Sequence, residues 1–408
     1  MIKLVKLISA LIVFGFFSCN TEKPKVQTIQ ILESPTLGYS MQPFLFSTDN
    51  DILMSWTQKI NDSIHTLNYS TLSGGDWTDP KVIEQGNDWF VNWADFPAIA
   101  VNKENILVHF LQKSDPATFA YDVQLKQSSN NGFTWNEKNK LHKDSTNTEH
   151  GFVTMLPYKE NSFFITWLDG RNTGGGGHGG EHSGGAMNIR TATVLANGEI
   201  VDDTLVDAKT CDCCQTSAAI TANGPIIVYR DRTDQEVRDI YISRFVNGSW
   251  TTPKSIHNDN WEIKGCPVNG PKADSFKNTL AISWFTAANN VPKVNLVFSK
   301  DNGESFNAPI QIDSGKPIGR VDIALIDEQN AIVSWMESTD EEAEIKMMKV
   351  NIDGTKSIPI VISTISASRA SGFPQFELLN ENVIVAWNHV SEQSSTIKIA
   401  ILPIDLIN

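Results

Sequence analysis

The sequence predicts an all-β chain closed into a ring of four-stranded sheets. Three observations predict it: an apolar strand ending in an aromatic returns seven times, Gly-bearing polar turns recur at matching places in the repeat, and an unassigned strand sits near the N-terminus. With 11 Trp and 20 Phe among 408 residues, and no long Ala/Leu/Glu/Lys runs, composition also favours strands over helices.

The recurring strand reads Ile52–Trp56, Ile106–Phe110, Phe163–Trp167, Ile226–Tyr229, Leu280–Trp284, Ala331–Trp335 and Val383–Trp387, with the closing aromatics 51 to 62 residues apart. A near-constant period of buried-strand pattern marks stacked repeats. Each copy follows another strand and a polar turn, as in Phe96–Val101 before Asn102–Asn105. After it come a variable loop and two more strands. Four strands per ~55 residues make a propeller blade, so the expected fold is a β-propeller of seven blades; six blades, a sandwich pair and an open solenoid are the alternatives. The seventh copy has room for three strands only, Phe373–Leu379, Val383–Trp387 and Thr396–Leu402. Val26–Leu32 is expected to supply the fourth and so remove an open edge.

Ahead of that strand, Lys3 and Lys6 precede an apolar run from Leu7 to Phe17, too short for a bilayer span of ~20 residues. It ends in Ser18-Cys19 before polar residues, which resembles the bacterial lipoprotein signal. This implies removal of residues 1–18, lipidation of Cys19, a tether over 19–26 and one propeller domain over 27–408. Export to the bacterial cell envelope is expected, anchored at the outer membrane through that lipid alone. The formal net charge is −14, and losing two lysines with the leader makes it more negative. Such a chain repels phosphate backbones, so nucleic acid is not an expected partner. A monomer is expected.

Ser128-Ser129-Asn130-Asn131-Gly132-Phe133-Thr134-Trp135 and Ser299-Lys300-Asp301-Asn302-Gly303-Glu304-Ser305-Phe306 share one pattern, with weaker versions ending at Trp77 and Trp250. The acid or amide bonds backbone amides, Gly takes a positive φ, and the aromatic packs inward. The pattern resembles the Asp-box (BNR) repeat of sialidase-like propellers. Asp boxes are structural, so the resemblance bears on fold rather than activity.

These turns join the third and fourth strands and so lie on one face. Loops after the aromatic strand, and those joining blades, lie on the other. To that second face the repeat assigns Asn92-Trp93, Asp169 and Arg171, the Gly174–Gly185 loop with His178 and His182, Cys211 to Cys214, Arg230 to Asp239, Trp261, Cys266, Arg320 with Asp322, Glu337, Arg369 and His389. Function gathered on loops at one end of a rigid scaffold is the usual arrangement.

Cys211, Cys213, Cys214 and Cys266 fall in one neighbourhood. An even count in an exported chain points to disulfides, but the second bond would join near-adjacent cysteines. A thiolate metal site, with His178 and His182 as further ligands, stays open, zinc or copper being the ions suited to it. A redox-active thiol is the third reading, and no cofactor is required by the sequence.

Sialidases hold a sugar carboxylate with three arginines, since a guanidinium fork fits a carboxylate. The resemblance thus implies an acidic glycan, or another small anion, at Arg171, Arg230, Arg232, Arg238 and Arg320, with Trp261 and His389 beside it. Asp169, Asp231, Asp239, Asp322 and Glu337 become candidate catalytic acids for exo-glycosidase chemistry. The resemblance is one of fold: no arginine precedes Arg171, and the family's catalytic motifs have no match. The alternatives are a Cys/His metal or redox protein on a propeller scaffold, and a non-catalytic interaction platform.

Overall fold

Residues 28–174 and 185–408 are described by a computed structural model. Each apolar run forms the second strand of a sheet: Asp51–Lys59, Asn105–Lys113, Ser162–Asp169, Gly224–Arg230, Thr279–Thr286, Asn330–Ser338 and Asn382–Val390. These strands are nearly continuous in apolar residues because both faces of every sheet press against neighbouring blades. Trp56, Phe110, Trp167, Tyr229, Trp284, Trp335 and Trp387 are all at most 2% exposed.

Seven antiparallel sheets result, each with its first strand inside and its fourth outside. The ring closes as expected. Gln30–Leu32 pairs with Ser395–Pro403, placing Ile31 opposite Ala400, and completes blade seven. The seven-bladed, all-β fold is therefore the one adopted.

The two Gly turns share one bonding scheme. Ser128 Oγ accepts from the Gly132 amide and Asn130 Oδ1 from the Thr134 amide; Ser299 Oγ and Asp301 Oδ1 do the same for Gly303 and Ser305. Trp135 packs edge-on against Tyr69 of the preceding blade.

Three inner strands carry a bulge at the opposite face, and its residue has positive φ: Gln42 (59°), Phe152 (53°) and Arg320 (52°). Such backbone costs of order 1–3 kcal/mol per non-Gly residue and needs surrounding support. Each bulge amide donates to a side chain from elsewhere in the ring: Gln42 to Asn388 Oδ1 at 3.1 Å, Phe152 to Asp95 Oδ1 at 2.8 Å, Arg320 to Asn269 Oδ1 at 2.8 Å. One solution thus recurs three times around the axis.

The inner strands surround a central cavity of about 480 Å³ whose lining includes Asp95, Asp274, Asp322, Glu377 and a single lysine, Lys272. Asp274 and Asp322 accept amides from the next blade, Leu325 and Phe376. Burial pushes Asp95 and Glu377 up to about 8 and Asp274 to about 6. The channel is thus less negative near neutrality than its composition implies. At its upper end Gln215 Nε2 reaches across from blade four to the Ala94 carbonyl at 2.7 Å.

Candidate functional site

Most of the described residues that the sequence assigned to one face fall into four clusters, with neighbours it did not name; Asp322 and His389 do not.

The first is the cysteine cluster. None of the four forms a disulfide, which corrects the disulfide expectation. Cys211 and Cys214 sulfurs lie 3.6 Å apart, and one ligand atom from each of Cys211, Cys213 and Cys214 falls within a 4.8 Å group. The Cys266 thiol, from the loop entering blade five, reaches both Cys211 and Cys213. Arg238 Nη1 donates to Cys211 Sγ at 3.1 Å. Hydrogen bonds from the other three thiols, then Arg238, hold the Cys211 thiol well below its ordinary range, whereas burial pushes Cys214 up to about 12. His178, His182 and Cys19 lie outside the described residues.

The second cluster sits between blades two and three. The rings of His142 and His150 are fully buried and stack in parallel at 3.6 Å. Asp144 Oδ2 is 2.7 Å from His142 Nδ1 and 3.3 Å from His150 Nε2. Asp169 is gripped by Arg171 through two contacts of 2.7 Å and accepts Trp167 Nε1 at 2.9 Å. Burial would lower His150, but the Asp144 bond and the Asp169 charge outweigh it and raise it. Burial likewise would raise Asp169, yet the Arg171 bond and His150 hold it below the usual carboxylate range. Asp169 and Arg171 are thus each other's partners.

The third consists of arginines spent on the fold. Arg230 is 1% exposed. It directs four of its five donor hydrogens to carbonyls: Nε and Nη2 to Asn269, Nη1 to Arg238, Nη2 again to Phe285. Its guanidinium lies 4.8 Å from the Trp261 ring, and Trp261 is itself buried against Phe285. The structure therefore makes Arg230 and Trp261 core, not ligand groups. Arg232 pairs with Glu236 and Asp212, and Arg238 with Glu236. Among the candidate acids, Asp239 accepts the Asn260 and Trp261 amides, and Glu337 accepts Trp335 Nε1 and faces Lys346. Asp322 lines the channel rather than the face. Asp231, raised to about 7 by burial and then by Asp207, sits in an acid–base range near neutrality. His389 is exposed near the end of its strand, Asn382–Val390.

The fourth cluster joins residues that the sequence placed on this face without linking them to one another. Trp93, half-buried, stacks on Phe373 at 5.7 Å and 13°. Arg320 lies 5.0 Å from the Trp93 ring and Arg369, exposed, 5.9 Å from it. Arg320 gives bonds to the Ser368 and Gly372 carbonyls. Burial, with Arg369 beside it, lowers its guanidinium to about 10. Among the described residues neither arginine has a carboxylate within 4.0 Å, and Arg369 has no side-chain hydrogen bond. The three residues come from three separate segments, so spacing along the chain carries no signal of their meeting.

No family model matches the chain, and no curated protein matches it either. Among solved structures, the polysaccharide lyase Uly1 superposes with a TM-score of 0.54 at 9% identity, covering 94% of this chain and all of that one. The α-L-arabinofuranosidase Arb93A from Fusarium graminearum gives 0.52 at 11% identity, covering 94% and 99%. The sialidase NanB from Streptococcus pneumoniae gives 0.49 at 10% identity over 88% of this chain. The likeness is one of fold alone, that of a β-propeller.

Proposed function

We propose that the protein is a carbohydrate-handling propeller that binds an acidic glycan on the Trp93 face. One observation carries the reading: Arg320 and Arg369 crowd a single partly exposed indole with no carboxylate among the described residues to balance them, in a chain whose formal net charge is −14. Two like charges side by side repel, and a bound anion relieves the repulsion. An aromatic face beside a guanidinium suits a sugar acid, whose ring offers C–H surface for stacking and whose carboxylate accepts the fork. The fold neighbours include a polysaccharide lyase and an arabinofuranosidase, so propellers of this fold do serve glycan chemistry. Tethering at the envelope through Cys19 belongs to the same proposal.

The proposal is one of binding. No acid–base pair is assigned to it, because Asp169, Asp239 and Glu337 are held by Arg171, by backbone amides and by Trp335 with Lys346, while Asp322 faces the channel.

Titration calorimetry of the full chain against uronate- or sialate-bearing oligosaccharides, with neutral counterparts alongside, tests it. Acidic oligosaccharides should bind, with Arg369→Ala and Trp93→Ala each weakening binding at least tenfold. Equal affinity for neutral sugars, or full affinity in Arg369→Ala, would overturn the reading.

A further inference from the structure

We propose that Cys211, Cys213, Cys214 and Cys266 form a tetrathiolate site for a single zinc ion that ties the loop entering blade four to the loop entering blade five. The site does not depend on the glycan reading.

Three observations carry it. The first is separation. Bonded sulfurs lie about 2.05 Å apart, whereas two thiolates sharing a tetrahedral zinc with bonds of about 2.3 Å stand about 3.8 Å apart. Cys211 and Cys214 are at 3.6 Å, and Cys213 falls in the same compact group. Cys266, exposed and outside that compact group, has its thiol against Cys211 and Cys213. Three sulfurs in one compact group, met by a fourth from a second loop, suit a common centre better than separate pairs.

The second is the environment of the sulfur. Arg238 is 3% exposed and aims Nη1 at Cys211 Sγ, while its Nη2 is fixed by Glu236 at 2.8 Å. Glu236 supplies one anionic partner, and the Nη1 proton aimed at the sulfur is better met by a thiolate than by a neutral thiol, which is a poor acceptor. Zinc bound by four thiolates carries a net charge of −2, which an arginine beside one sulfur partly offsets. It is the outer-shell contact that metal ligands typically have.

The third is the count. Four protein sulfurs fill a tetrahedron and leave no position for water or substrate, which is the pattern of a structural rather than a catalytic site. Tetrahedral all-sulfur donor sets select zinc or iron. The role follows from the connections. Gln215, one residue past the triplet, spans the top of the channel to Ala94. Asn269, three past Cys266, receives the Arg320 amide. Clamping the two loops fixes both.

Full-length protein purified without chelator and measured by elemental mass spectrometry should carry about one zinc per chain. Cys213→Ser and Cys266→Ser should each lower retained zinc at least tenfold. Because either variant could misfold, cobalt(II) exchange into the wild-type chain gives an independent readout. Intense sulfur-to-cobalt charge transfer with tetrahedral ligand-field bands is expected. Metal-free protein four hydrogens lighter than its reduced form, hence doubly disulfide-bonded, would overturn the proposal. So would zinc retained by both variants, or stoichiometric copper in place of zinc.

Discussion

Replacing Asp95 by Asn should make the fold less sensitive to alkaline pH while leaving it intact below neutrality. Asp95 is 2% exposed. Its Oδ1 accepts the Phe152 amide at 2.8 Å, and its Oδ2 lies 2.9 Å from Tyr121 Oη, which is also 2.7 Å from Glu149 Oε1. Tyrosine has one proton for these two carboxyls, so the second contact is satisfied only when another proton is present. Burial above all, opposed by the Phe152 and Tyr121 bonds, holds that proton on Asp95 and raises it from 3.8 to about 8. Gly151 fits the same picture, because a Cβ there would fall on the Asp95 carboxyl.

The direction of the pH effect follows. Between about pH 4 and 8 the folded chain keeps a proton that the unfolded chain has lost, so this group's contribution falls as pH rises and is flat above 8. About four pKa units at about 1.4 kcal/mol each give a ceiling on the order of 5–6 kcal/mol. Sharing of protons with Tyr121 and Glu149, and relaxation around the site, lower the expected figure to about 2–4 kcal/mol. Asparagine keeps the acceptor for Phe152 and offers an amide donor to Tyr121, which then donates to Glu149. The chain itself uses Asn388 and Asn269 for the same task at the other two bulges. Urea denaturation of wild type and Asp95→Asn at pH 5.5, 7 and 9 should therefore give curves that diverge, with the variant the more stable by about 2–4 kcal/mol at pH 9. Parallel curves, or a variant that loses more stability as pH rises, would refute the reasoning.

Two further outcomes follow from the same structure. His150, raised by Asp144 and Asp169 against the effect of burial, contributes stability that is full below pH 6.5 and lost as pH rises through its folded value; its imidazole, followed by NMR, should titrate later than an unperturbed histidine, and an earlier midpoint would contradict the contacts. Asp301, whose bonds from Ser305 and Ser299 outweigh burial and bring it to about 2, favours the fold above pH 4 and loses that contribution as pH falls through 2. Because the side chain is only partly buried and its bonds stay within the turn, Asp301→Ala should cost only about 1 kcal/mol in urea denaturation at pH 7, and a loss above about 3 would mean that the turn does more than hold itself.

The ring was legible because its signal is local: an apolar run with a closing aromatic, repeated, needs no knowledge of partners. The closing strand was legible because blade seven is one strand short. The shared face followed from counting strands. What each residue does there was not legible, because it depends on groups far along the chain. Arg230 was read as a ligand group, yet it is held by carbonyls 39 and 55 residues away. Trp261 resembled a binding aromatic until the Arg230 guanidinium and Phe285 were seen to cover it. Trp93 and Arg369 were placed on the correct face but only their meeting gives them meaning. The bulge residues Gln42, Phe152 and Arg320 are not themselves glycines, so their identity does not announce a positive φ. A strand expected over Phe96–Val101 begins at Ala98, since the residues before it turn across the top of the ring and deliver Trp93.

The strained positions and the candidate sites belong to one construction. Arg320 is at once a bulge residue with φ of 52° and a cation beside Trp93. A long side chain on relaxed backbone would be free to swing toward solvent or a carboxylate; here the bulge fixes its starting direction. The Asn269 side chain offsets the cost by accepting the Arg320 amide and donating to the Ile318 carbonyl, while its own carbonyl receives Arg230. That makes Arg230 a support for the face rather than a reader of ligands, because its buried guanidinium locks the residue that locks Arg320. The segment bearing Asn269 begins beside Cys266, so the thiol cluster lies upstream in the same chain of contacts. This set of contacts fixes Arg320 beside the Trp93 ring, while the exposed Arg369 approaches the same ring from the segment before blade seven.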